Sequence, residues 1–105
     1  MSGKKIERRE KRISKNYMLH VSIEGFEGAA LTSNISKSGM MVLFHDEIPL
    51  AIDREIEILI AIEGRMFTLT GRIKWKKKLP DNYLVGVELT KTSEEFRLFW
   101  DSQNP

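Results

Sequence analysis

Two stretches in the middle of the sequence alternate apolar and polar residues with a period of two. Isoleucine occupies every second position of residues 55–62, and residues 67–75 alternate in the same way with Phe67, Leu69 and Ile73 in phase. Only Glu63-Gly64-Arg65 connects the two stretches. This pattern predicts an antiparallel hairpin with one buried face. The fold must therefore bury the apolar face of this hairpin in a hydrophobic core.

Four further short runs have the composition of strands. They are residues 17–23, 29–33, 40–44 and 83–89. The third of these runs is apolar on both faces, so we expect both of its faces to be buried. Six short strands joined by turns predict an all-β fold, a six-stranded antiparallel β-barrel, because a flat sheet would leave two open edges and one exposed apolar face.

A helix is predicted after the last strand. Thr92 has the position of a helix cap, and Glu95 follows three residues later, which is the spacing of a capping box. Phe96, Phe99 and Trp100 then occur at helical spacing. We expect a short C-terminal helix that covers one end of the barrel with this aromatic face.

The composition excludes several classes of protein. The chain of 105 residues is 41% hydrophobic and 30% charged, which is sufficient for one folded domain with a single core. It has no cysteine and two histidines, so neither disulfides nor a metal site are expected. No apolar run is long enough for a signal peptide or a membrane span, and a cytoplasmic location is predicted.

The charge is distributed unevenly along the sequence. Residues 1–16 contain seven basic and two acidic residues, a net charge of +5, whereas the remaining residues carry −3. We expect residues 1–16 to form a flexible basic leader, residues 17–90 the barrel, and residues 91–105 the helix and a tail. An anionic ligand should therefore bind where the leader meets the barrel.

Three arginines lie close together in the leader, Arg8, Arg9 and Arg12. A solvated basic tail is the simplest interpretation of such a run. However, the guanidinium group presents a planar fork that matches a phosphate or the edge of guanine, whereas a tail that only adds solubility could equally use lysine. The arginines therefore suggest a nucleotide ligand.

The segment Asn34-Ile35-Ser36-Lys37-Ser38-Gly39 combines an amide, hydroxyls and a glycine. It could be an ordinary capped turn in which Gly39 has a positive φ. As a ligand site, the amide of Asn34 can read a base edge and Ser36 can donate to a phosphate oxygen. Gly39 would leave room for a ligand against the strand.

Together these segments resemble the signature of the PilZ domain family, an RxxxR segment followed by a (D/N)xSxxG turn. Arg8-Arg9-Glu10-Lys11-Arg12 matches the first element, and residues 34–39 match the second. Gly71-Arg72-Ile73-Lys74-Trp75 and Val85-Gly86-Val87-Glu88-Leu89 resemble later strands of the family. The resemblance extends from about Arg8 to about Trp100.

The resemblance implies a receptor for the bacterial second messenger cyclic di-GMP, without a cofactor and without enzymatic activity. It assigns six ligand-binding residues by their places in the two motifs: Arg8, Arg9, Arg12, Asn34, Ser36 and Gly39. Asn34 stands where aspartate is commoner in the family. As a single-domain protein of this kind, the receptor is expected to signal by contact with another protein.

Other interpretations of these residues remain open. Trp75 is in phase with the apolar residues of its strand, so core packing is favoured over stacking on a base. The lysines that surround it, Lys74 and residues 76–78, indicate a solvated strand end. The leader could also bind nucleic acid non-specifically, although the strands lack the exposed aromatic residues of single-strand binders. A protein adaptor of the same fold that binds no nucleotide is a third possibility.

Overall fold

The computed structural model describes residues 12–23, 25–45 and 51–103. They form six strands and one helix: β1 (Met18–Ile23), β2 (Phe26–Ile35), β3 (Gly39–Phe44), β4 (Glu55–Ile62), β5 (Arg65–Lys78), β6 (Tyr83–Thr92) and α1 (Glu94–Gln103).

The six strands form a closed barrel in the order β1-β2-β3-β6-β5-β4, and every neighbouring pair is antiparallel. The last strand in this order, β4, pairs with β1 and closes the sheet on itself. Closure leaves the sheet without unpaired edges. The predicted six-stranded antiparallel barrel with a C-terminal helix is thus confirmed.

The hairpin of β4 and β5 has the predicted form. Every second residue of β4 from Ile56 to Ile62 is buried, and Phe67 and Leu69 of β5 face the same core. The loop consists of Glu63 and Gly64, both with positive φ, 51° and 81°. Two consecutive residues in this region make a tight turn whose twist matches that of the strands.

Strand β3 is buried on one face rather than on both. Met40, Val42 and Phe44 point into the core, whereas Met41 and Leu43 are half-buried on the outside of the barrel. The prediction of two buried faces is wrong because a barrel of this size has a single core and no second layer. The outward position of Met41 matters for the site below.

Helix α1 begins one residue later than the sequence indicates. The backbone N–H of Phe96 donates to Ser93 Oγ at 3.1 Å, so Ser93, and not Thr92, caps the helix. Thr92 is the last residue of β6, and its carbonyl accepts from the Arg97 guanidinium at 3.0 Å. As predicted, the aromatic face of the helix covers the core, with the rings of Phe96 and Phe67 5.5 Å apart.

Candidate functional site

A bulge near the end of β2 turns Asn34 towards the outside of the barrel. Thr32 is fully buried and pairs with Val42, but the next paired residue, Asn34, is opposite Met41, so Ser33 is an additional residue on β2. Without the bulge, Asn34 would point into the core like Thr32, because strand side chains alternate. The bulge therefore directs the amide of Asn34 to the outer face of the barrel.

The segment that precedes β1 is held along β2. Ile13 and Ile35 exchange two backbone hydrogen bonds of 2.8 and 3.0 Å. The buried hydroxyl of Thr32 accepts from the N–H of Tyr17 at 2.8 Å and donates to the carbonyl of Lys15. These bonds hold the segment beside the end of β2, where the turn 36–38 begins. They therefore place residue 12 next to that turn.

Arg12 connects the leader to the turn. Its Nε donates to Asn34 Oδ1 at 2.9 Å, and its Nη1 donates to Ser36 Oγ at 3.2 Å. Ser36 is fully buried, and both its N–H and its hydroxyl donate to the carbonyl of Gly39, at 2.8 and 3.2 Å. A guanidinium has five N–H donors. Arg12 is therefore oriented by two contacts and retains donors for an anion.

The glycine at position 39 is required by the neighbouring strand. Its φ is not positive, unlike those of Gly25 and Gly64. A Cβ at this position would lie 3.0 Å from the carbonyl oxygen of Val87, which is tighter than ordinary packing. The interpretation of Gly39 as a turn residue with positive φ is therefore wrong, and close strand packing alone accounts for the glycine.

A second bulge, on β5, moves Trp75 out of the core. Ile73 pairs with Val87 and Trp75 pairs with Gly86, so Lys74 is an additional residue on β5. The indole lies directly over Gly86 and is 40% exposed. The prediction that Trp75 packs in the core is thus wrong, because the bulge reverses the alternation after Ile73.

The two bulges place four residues in one cross-strand row on the outer face. The pairs are Asn34 with Met41, Met41 with Gly86, and Gly86 with Trp75, across β2, β3, β6 and β5. The amide of Asn34 donates to Met41 Sδ at 3.0 Å. The row therefore runs from a polar end at Arg12 and Asn34 to an aromatic end at Trp75.

A surface cavity of about 300 Å³ lies along this row. Such a volume is at the lower end of the range of small-molecule pockets. Its walls come from the leader, the turn and three strands: Arg12, Ser38, Gly39, Met40, Met41, Lys74, Trp75, Gly86, Val87 and Glu88. The combination of an aromatic face, a sulfur-rich floor and charged rims suits a nucleobase attached to a phosphate.

Lys74 and Glu88, which have opposite charges, both line the cavity. Lys74 Nζ lies 3.8 Å from Glu88 Oε1 and 3.5 Å from Asp53 Oδ1. On the turn, Lys37 Nζ pairs with Asp101 Oδ1 of α1 at 3.4 Å. These side chains are 45–69% exposed, so each pair contributes little to stability. Lys74 was expected at a solvated strand end, and it does remain exposed while lining the cavity.

The structure brings together four of the six residues that the motifs predict. Arg12, Asn34 and Ser36 are in contact, and Gly39 lines the cavity beside them. Arg8 and Arg9 lie outside the described residues. The ligand-binding role of all six stays a prediction, as does the division of the chain into leader, barrel and tail.

Met41, Trp75, Gly86 and Glu88 are further candidates that the motifs did not include. One signal in the sequence could have identified Trp75 and Gly86. A glycine inside a strand often marks the close approach of another group, and Gly86 lies in the middle of an apolar run. Met41 and Glu88 carry no comparable signal.

Residues 12–23, 25–45 and 51–103 contain no group of three or more histidine, cysteine or acidic side chains placed to hold a metal ion. Among the same residues, no helix has the length and apolar character needed to cross a membrane.

Comparison with known proteins agrees with this fold. The structure of the Bacillus subtilis inhibitor of motility (MotI/DgrA) is similar to this chain, with a TM-score of 0.81 at 17% identity. The likeness covers 90% of this chain and 48% of that structure, so the chain spans about half its length, and at this identity it concerns the fold. No curated protein matches the sequence. The family model of the PilZ domain matches residues 6–98, which include both motifs and all six strands, and the chain therefore belongs to the PilZ domain family.

Proposed function

We propose that this protein is a receptor for cyclic di-GMP that binds the dinucleotide between the arginine segment and the turn 34–39. PilZ domains form a family of cyclic di-GMP receptors and are binding modules rather than enzymes. Within that family, this chain retains each position of the two motifs. The proposed ligand-binding residues are Arg8, Arg9, Arg12, Asn34, Ser36 and Gly39.

The contact of Arg12 with Asn34 and Ser36 is the observation that carries this proposal. It joins residues 22 and 24 positions apart in sequence, and it places the guanidinium of Arg12 against the buried hydroxyl of Ser36, which also donates to the carbonyl of Gly39. The contact positions a guanidinium fork at the edge of the cavity. A phosphate or a guanine edge would extend this hydrogen-bonded network at little cost in side-chain entropy.

Trp75 supports the proposal from the other end of the cavity. Its indole is held flat against the outer face by Gly86, and part of the ring is accessible. A purine can stack on such a face, and stacking typically contributes about 1–3 kcal/mol per base. The cavity then accommodates a base near Trp75 and a phosphate near Arg12.

We also propose that the receptor acts in the cytoplasm and passes its signal to a protein partner. Met18 of β1 and Leu31 of β2 are cross-strand partners outside the cavity, with exposed fractions of 67% and 41%. Adjacent apolar side chains on a surface are typical of protein contacts. A Leu31→Asp variant should therefore keep its affinity for cyclic di-GMP and lose a partner that the wild-type protein binds in a ligand-dependent manner.

Isothermal titration calorimetry of the purified protein with cyclic di-GMP tests the proposal. GTP at the same moderate salt concentration is the control, because it shares guanine and phosphates with the ligand. Saturable binding of cyclic di-GMP at micromolar or tighter affinity, with no binding of GTP, is expected. Absence of heat from a protein that circular dichroism shows to be folded would contradict the receptor function and favour an adaptor.

The same titration at 50 and at 200 mM salt distinguishes a specific receptor from a protein that binds nucleic acid non-specifically through its basic leader. Such binding would weaken steeply between 50 and 200 mM salt, by about 10³-fold or more when several phosphates are contacted, and would be indifferent to sequence. A receptor with a dedicated site should show a much smaller salt dependence. The titration also gives the number of ligand molecules, for which we expect one per chain.

A further inference from the structure

Glu88 occupies a specific place in the candidate site. It lies on β6 in register with Gly39 of β3 and Arg72 of β5, on the outer face of the barrel. Its exposed side chain lines the cavity. Among the described residues that line the cavity, it is the only one with a carboxylate.

The residue with which the turn begins cannot supply a carboxylate. Asn34 accepts from Arg12 through Oδ1 at 2.9 Å and donates to Met41 Sδ through Nδ2 at 3.0 Å. Its amide oxygen can accept one further hydrogen bond but carries no charge. A charged acceptor for the N–H groups of a base must therefore come from another residue of the cavity.

The carboxylate of Glu88 is available for such a role. Its nearest cation, Lys74 Nζ, is 3.8 Å away and lies closer to Asp53, at 3.5 Å. The Glu88 and Lys74 side chains are 55% and 47% exposed, so solvent screens the pair and it does little to hold the barrel together. The carboxylate is therefore accessible to a ligand in the cavity.

The position of Glu88 relative to Trp75 suits the recognition of a stacked base. Trp75 is opposite Gly86, and Glu88 is two residues further along the same face of β6. Diagonal neighbours of this kind are about 7–8 Å apart, a separation that a long side chain can span. A purine stacked on the indole would present an edge towards the carboxylate.

From these observations we propose that Glu88 is a specificity-determining residue that accepts hydrogen bonds from one guanine of the ligand. The N1–H and the exocyclic amino group of guanine lie side by side and can donate to the two oxygens of one carboxylate. Adenine has an acceptor at N1, which a carboxylate repels. This inference rests on the proposed function, and it assigns to Glu88 the choice of guanine over other purines.

The Glu88→Gln variant tests this role because glutamine keeps the size of the side chain and removes the charge. Three ligands are titrated into both proteins: cyclic di-GMP, cyclic di-IMP, whose base lacks the amino group, and cyclic di-AMP. We expect the variant to bind cyclic di-GMP roughly tenfold more weakly, which is the usual effect of losing one charge-assisted hydrogen bond. The affinity for cyclic di-IMP should fall by a smaller factor, and the affinity for cyclic di-AMP should not fall.

Glu57→Gln is the matched control, since Glu57 is an exposed glutamate on β4, away from this cavity. Its affinities for the three ligands should equal those of the wild-type protein. If Glu88→Gln lowers the affinities for all three ligands equally, or changes none of them, the inference is overturned while the receptor function stays intact. If the wild-type protein fails to bind cyclic di-GMP, the proposed function fails first, and the role of Glu88 fails with it.

Discussion

The indole of Trp75 lies so close to Gly86 that no side chain fits between the ring and β6. The two residues are cross-strand partners next to the bulge at Lys74. An aromatic ring over a strand glycine fills the gap that the missing side chain leaves. Trp75 is thereby held on the outer face, where it forms one wall of the cavity.

A methyl group at position 86 should displace this ring. We expect Gly86→Ala to lower the free energy of unfolding by about 1–3 kcal/mol, the usual cost of overpacking. Tryptophan emission should shift to longer wavelengths as the indole enters solvent, against a constant contribution from Trp100, which is buried. Urea denaturation followed by fluorescence measures both effects.

The control for this prediction is the same substitution in a Trp75→Ala background. Without the ring, Gly86→Ala should cost little, because the space above residue 86 is then open. A cost equal to that in the wild-type background would contradict the contact between Trp75 and Gly86.

Replacement of Arg12 by lysine should weaken binding of cyclic di-GMP although the charge is kept. Lysine cannot reach Asn34 and Ser36 at once with a planar fork. The loss of one charge-assisted hydrogen bond to the ligand corresponds to roughly 1.5–3 kcal/mol of binding free energy. Isothermal titration calorimetry measures this difference directly. Arg54→Lys is a suitable control, since Arg54 is exposed and does not line the cavity. Equal affinities of the two variants would exclude a specific role for Arg12.

The cap of α1 can be assigned by a pair of substitutions. Ser93→Ala should lower the free energy of unfolding by about 0.5–2 kcal/mol, because the N–H of Phe96 loses its acceptor. Thr92→Val keeps the shape of its side chain and should cost less, since the Thr92 hydroxyl forms only a long contact of 3.4 Å with Arg97. Chemical denaturation of both variants provides the comparison. The reverse order of stabilities would make Thr92 the cap, as the sequence alone suggests.

The aromatic face of α1 should be essential to the barrel. Phe96 is fully buried against Phe67, and Phe96→Ala should cost about 3–5 kcal/mol. Leu98 on the same helix is 62% exposed, and Leu98→Ala should be nearly neutral. Thermal unfolding measures the difference. If both variants unfold at the same temperature, the helix does not close the core as described.

The regular parts of this fold follow from the sequence because burial on one face imposes a period of two. The isoleucines of β4 and the partner residues of β5 are examples. The strand order does not follow in the same way, because β3 pairs with β6 rather than with the next strand in sequence. The failures occur where a local irregularity changes the phase. In the sequence, Trp75 is in phase with the apolar residues of β5, but in the structure it follows a bulge. The identities of residues 73–75 do not indicate that one of them is an additional residue in the strand.

The candidate site illustrates the same limit. The motif residues 34–39 could be recognised from spacing, yet the outward direction of Asn34 depends on the bulge at Ser33. Glu88 and Met41 reach the cavity only through cross-strand pairing with Gly39 and Gly86, which join distant parts of the chain. The predicted cap of α1 is wrong by one residue. Thr92 and Ser93 are both suitable caps, and because β6 extends to Thr92, the cap is Ser93.

The most direct test of the proposed binding site is a ¹⁵N-edited NMR titration of the protein with cyclic di-GMP. We expect shifts of the backbone signals of Asn34, Ser36, Met41 and Gly86 and of the Trp75 indole, saturating together. Signals of His20 and Leu59, which are paired on β1 and β4 outside the cavity, should stay unchanged. Saturable shifts centred on β1 and β4, with the row from Asn34 to Trp75 unaffected, would contradict this account.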